Sequence, residues 1–191
     1  MDYYLLDGTT VLVEEFTRDR DHVTVGLRAA AWDHDVRRWV SCAAFSRALR
    51  GDPGLLARVT AVDRAGAEAA HGEVLPSEAD LRAAFLDVAA AARTAPLRLG
   101  PDEVPEGSQE QRVYRVLFAA RTATPYRGDR RAGADVFSWE LRRVANGAAW
   151  ALDLTALLAD GGDDSVGTVL ADLTREARAR GLVPIATERF A

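Results

Sequence analysis

The stretch Val136-Phe-Ser-Trp-Glu-Leu-Arg-Arg-Val-Ala-Asn-Gly-Ala-Ala-Trp-Ala-Leu-Asp-Leu154 decides the reading of this chain. Asn146-Gly147 tolerates the positive φ angles of a tight primed turn, which makes it the strongest short-range hairpin signal. A two-residue turn there pairs Ala145 with Ala148, so Leu141 falls opposite Leu152 and Trp139 opposite Leu154. In that register Phe137, Trp139, Leu141, Trp150, Leu152 and Leu154 share one face. A slip of one residue scatters them over both faces, so side-chain pattern and turn chemistry agree on one pairing. The hairpin is therefore Val136–Val144 with Ala149–Leu154.

Working outward from it, Arg112–Ala120 alternates Tyr114, Val116 and Phe118 against Arg112 and Arg115, the period of a strand. Arg121–Ala134, rich in Arg and Gly, reads as a long loop. Beyond the hairpin, Asp163-Asp164-Ser165 puts acids and a capping oxygen where a helix dipole favours them. Val166, Val169, Leu170 and Leu173 form its buried stripe, and Gly181 closes it after Arg175, Arg178 and Arg180. A last strand spans Leu182–Phe190.

The first forty residues read as an antiparallel meander, with Asp7-Gly8 as one turn and Asp33-His34-Asp35 as another. Helices follow at about 42–50, 53–70, 77–93 and 165–180. Asp52-Pro53 and Ser77 supply N-cap oxygens for two of them. Leu55, Val59 and Val62 recur at helical spacing in the second. The fold class is α+β, with mostly antiparallel sheet packed against helices. We read residues 1–191 as a single elaborated domain; its halves, 1–95 and 112–191, are joined by the Pro-, Gly- and acid-rich segment 95–111.

Composition narrows the chemistry. The basic residues, 24 against 29 acids, are all arginine. The absence of lysine matches a GC-rich genome and rules out Schiff bases, phosphate-loop lysines and lysine general bases. The net charge of −5 argues against nucleic-acid or anionic-membrane partners. A lone cysteine, Cys42, permits no internal disulfide, and the acidic start MDYYLLD lacks a secretory signal, so a cytoplasmic location is expected. No apolar run approaches the ~20 residues that span a bilayer.

Metal and cofactor sites are not expected. His22, His34 and His71 stand far apart without HxH or HxxxH spacing. Asp160-Gly-Gly-Asp163-Asp164 lacks the spacing and distal Glu of a calcium loop. GxGxxG, GxxxxGK and GxSxG are absent. Cys42, at the passage from strand to helix, reads as a small packed thiol, because a nucleophile there also needs a His and an orienting group.

Three features carry binding potential. Arg121, Tyr126, Arg127, Arg130 and Arg131 set four arginines and an aromatic against one acid, Asp129, a composition suited to gripping carboxylates or an acidic protein surface. Glu140 falls directly opposite Asp153 in the hairpin register, and like charges so placed need relief. Arg142 and Arg115 are the groups placed to give it; a bound cation or an acid/base pair is the sharper alternative. Trp32 and Trp39, flanking the turn at His34, form a third contact surface, and Arg143 lies opposite Trp150. With no catalytic residue assigned, the expectation is a non-catalytic binding or regulatory protein, of immunity, chaperone-like or adaptor type, that engages a protein partner. The alternative is a small-ligand binder or enzyme using Arg and carboxylate chemistry in a pocket between sheet and helices.

Overall fold

A computed structural model describes residues 1–85, 104–144, 149–160, 162 and 164–190. Its described residues form an α+β fold of ten strands in two antiparallel sheets, with five helices. No helix among them is long and apolar enough to cross a membrane. The chain divides into two compact units, one from Met1–Arg18 and Thr24–Ala92, the other from Asp19–Val23 and Arg93–Ala191.

The first unit holds β1 (Asp2–Leu6), β2 (Thr10–Arg18), β3 (Thr24–Asp33), β4 (Arg38–Ser41) and β5 (Val59–Val62) in the order β4-β3-β2-β1-β5. The meander is as the sequence implied, and Asp7 and Gly8 take φ angles of 52° and 77° at its first turn. One face of the sheet buries Tyr3, Val11, Val13 and Ala30 against Ala67, Leu75, Leu81 and Phe85. Ala67 comes from α3 (Arg64–His71) and Leu81 from α4 (Glu78–Ala83). Tyr4, Leu12 and Glu14 alternate with the first set and are buried, as is Leu49 of α1 (Ala43–Gly51).

The helix expected over 53–70 is not continuous. Asp52 caps it as anticipated, accepting from the backbone N–H of Gly54 and Leu55 at 2.7 and 3.2 Å, but the resulting α2 is only Pro53–Leu56. Val59–Val62 then pairs with β1, Tyr3 against Val62 and Leu6 against Val59. A spacing of three residues fits a helix face and also fits two ends of a short strand, and the open edge of β1 decides for the strand. Ser77 caps α4, accepting from Asp80 N–H at 3.2 Å. The helix expected over 77–93 is shorter at this point: α4 ends at Ala83 with Ala84 as its C-cap, and residues from 86 lie outside the described set.

The second unit holds β6 (Glu110–Ala119), β7 (Tyr126–Ala132), β8 (Asp135–Val144), β9 (Ala149–Leu158) and β10 (Val183–Arg189), ordered β10-β6-β9-β8-β7. Leu141 pairs with Leu152, Trp139 with Leu154 and Glu140 with Asp153, the register set by the side-chain pattern. The turn residues 145–148 lie outside the described set. Phe137, Leu141, Leu152 and Leu154 are fully buried beneath Val166, Val169, Leu170 and Leu173 of α5 (Asp164–Ala179). Gly181, at φ 84°, ends α5, and Leu182 N–H donates back to the carbonyl of Ala177 at 3.2 Å. Ser165 does not act as a simple cap: its hydroxyl donates to the Asp135 carboxylate at 2.6 Å and ties the helix start to β8.

Candidate functional site

The segment expected as an arginine loop is largely a strand. Tyr126–Ala132 pairs along its length with β8, Tyr126 against Leu141 and Arg130 against Phe137, and lies at the edge of the sheet. Strand alternation splits the arginine set between two faces. Tyr126 and Arg130 lie on the α5 side. The Arg180 guanidinium stands 4.1 Å over the Tyr126 ring. Burial, then the nearby Glu176 charge, raise the Tyr126 phenol above its usual range. Arg130 donates to Asp172 at 3.1 and 3.2 Å. Hydrogen bonds from Arg175 and Arg130 together hold that carboxyl below the usual range.

Arg127, Asp129 and Arg131 occupy the opposite face and are exposed. Among the described residues none of the three makes an ion pair, and neither does exposed Arg121, which precedes the strand. The same face carries a cross-strand row: Arg127 opposite Glu140, Glu140 opposite Asp153, Asp153 opposite Arg115, Arg115 opposite Glu188.

Asp153 is relieved by both arginines named from the sequence, Arg142 within the hairpin and Arg115 from the neighbouring strand β6. Arg115 donates to Asp153 at 2.6 and 3.0 Å, and Arg142 donates to it at 3.0 and 2.8 Å. Partial burial pushes the Asp153 carboxyl upward, but the two guanidinium groups outweigh it and leave its pKa below the ordinary value. A carboxylate so clamped is a poor proton donor. This argues against the acid/base reading of the pair, since a general acid needs its pKa raised. Arg115 is itself held by Phe190, whose ring centre lies 4.9 Å away. Glu140 stays exposed beside Arg127.

The structure thus brings Arg127, Arg131, Glu140 and Asp153 onto one face and sets Tyr126 and Arg130 on the other. Arginine chemistry survives at the edge, in a different geometry from a flexible loop.

In the first unit Trp32 and Trp39 are direct cross-strand partners, with ring centres 5.7 Å apart. His71, at the end of α3, packs edge-on against Trp32 at 4.8 Å. Sequence reasoning missed this third ring, because nothing in the spacing of His71 links it to a turn some forty residues earlier. His34 is exposed at the turn. Cys42 precedes α1, yet burial dominates and pushes its thiol up to about 12, the opposite of an activated nucleophile. No group of His, Cys, Asp and Glu among the described residues is arranged to hold a metal ion.

No protein-family model matches the chain, and no curated protein or solved structure is significantly similar to it.

Proposed function

We propose that this chain is a non-catalytic binding protein that engages a protein partner through the β7 edge of its second unit. The observation that carries the reading is the contrast within one cluster of charges. Asp153, Asp172, Arg115, Arg130 and Arg142 are committed to one another across strands and helix, whereas Arg127 and Arg131 project from an edge strand without an ion-pair partner among the described residues. Uncommitted guanidinium groups four residues apart on one face of a strand suit a partner that presents carboxylates with extended-chain spacing.

The competing reading, ligand chemistry in a pocket between sheet and helix, finds less support. Large apolar side chains fill the space between β8, β9 and α5, and Glu140 and Asp153 sit on the sheet face away from that helix.

Capture from the native lysate tests the proposal. The chain carrying R127E and R131E loses a captured protein that the unmodified chain retains. A control carrying R20E and R37E, with the same change in net charge, keeps it. Equal loss in both variants reduces the effect to net charge and removes β7 as the site.

A further inference from the structure

The four sheet edges of the two units are not alike. β4 and β5 are four residues each, too short to template much pairing. β10 carries Pro184 and a register shift between Pro184 and Ala186, both of which interrupt an edge. β7 is seven residues long, without proline and without a break in its pairing to β8. Alternate residues of any antiparallel edge strand direct both N–H and C=O outward. Among the described residues no other strand, loop or side chain hydrogen-bonds to the β7 backbone on its outer side.

Charged residues on an edge ordinarily discourage pairing. On β7 they are self-complementary in a particular register. If two copies of the strand run antiparallel with Gly128 opposite Gly128, Asp129 of each faces Arg127 of the other. Tyr126 then faces Arg130 in both directions, and no like charges are opposed within the paired residues. Shifting the register by two, with Asp129 opposite itself, opposes two acids and sets Arg127 against Arg131. Charge therefore selects among the registers a second copy can adopt.

We infer that the partner at β7 is a second copy of this chain, added antiparallel about Gly128, which joins the two five-stranded sheets into one. The inference rests on the reading of β7 as a binding edge and names its occupant. The pairing is isologous, so each charge contact occurs twice and the association closes at a dimer.

Sedimentation over a concentration series tests it. The unmodified chain reaches twice its 20.7 kDa mass as concentration rises. D129R, which opposes arginines at both symmetric positions, weakens the dimer by about tenfold or more. R127D combined with D129R restores it, because the swapped charges face each other again. A dimer that D129R leaves intact, or that R127D fails to rescue, overturns the proposed register. Hydrogen exchange on the unmodified chain keeps the test independent of any variant's folding: amides in 126–132 gain protection with concentration, and their indifference to it overturns the proposal. A monomer that still captures another protein through Arg127 and Arg131 sinks the dimer and spares β7 as a binding edge. A monomer that captures nothing through them sinks both.

Discussion

The indole of Trp139 fills the space above Gly128 on the neighbouring strand: a Cβ added to Gly128 would stand 2.6 Å from ring atom Cζ2 and 2.9 Å from Cε2. Glycine is a poor strand residue, so alanine at an ordinary strand position gains stability. Here the ring decides the sign. Gly128→Ala is expected to cost about 1–3 kcal/mol through overpacking. In a Trp139→Ala background the same change is neutral or stabilising. Urea denaturation of the two single variants and the double variant measures the coupling, and simple additivity contradicts the contact.

Glu14 and Arg50 form a buried ion pair in the first unit. Their side chains are 0% and 7% exposed, and the guanidinium donates to both carboxylate oxygens at 3.0 and 2.5 Å. Such a pair adds little net stability over an apolar replacement, but breaking it strands a charge without water. Arg50→Ala should destabilise by about 3–5 kcal/mol. Glu14→Leu combined with Arg50→Met should recover most of that loss. Denaturation midpoints that fall further in the double variant than in Arg50→Ala would contradict this account.

The sequence carried the register of the β8–β9 pairing because two independent signals met there, although the strand read as ending at Leu154 runs on to Leu158. Alternation put six large apolar residues on one face, and the turn chemistry chose the same register. The relief of Asp153 by Arg142 followed from that register, whereas Arg115 reaches Asp153 through the separate β6–β9 pairing. β5 was not legible, since Val59-Thr-Ala-Val62 has no alternation to separate it from a helix and forms only because β1 offers an open edge. β7 was hidden differently. Tyr-Arg-Gly-Asp-Arg-Arg has the composition of a loop, and it is extended because β8 supplies a ladder and Trp139, Asp172 and Arg180 supply partners for its inner face. Those partners lie elsewhere in the chain, where local propensity carries no information about them.

Burial sets the chemistry of Cys42. With its thiol pushed up to about 12 from 9.0, its thiolate fraction at pH 8 falls about a thousandfold relative to an ordinary thiol. The greater nucleophilicity of a more basic thiolate recovers part of that. Alkylation by iodoacetamide should therefore run about thirtyfold or more slower in the folded chain than in urea. A folded thiol that reacts at the unfolded rate would show that burial does not govern it.

Asp153 links the candidate site to pH. Its folded pKa lies below its ordinary value of 3.8, since Arg115 and Arg142 outweigh the cost of partial burial. The folded state therefore binds the proton less readily than the unfolded chain. The resulting stability is fully present above the unfolded value and is lost as pH falls through the folded one. Asp153→Asn removes this linkage. At neutral pH the variant should lose about 1–2 kcal/mol, because two guanidinium groups lose a charged acceptor while keeping solvent access. Between about pH 5 and pH 2 its stability should fall less steeply than that of the unmodified chain, so the two curves converge in acid. Denaturation midpoints across that range measure the difference. Parallel curves would mean that Asp153 titrates alike in both states and that the two arginines do not hold its charge.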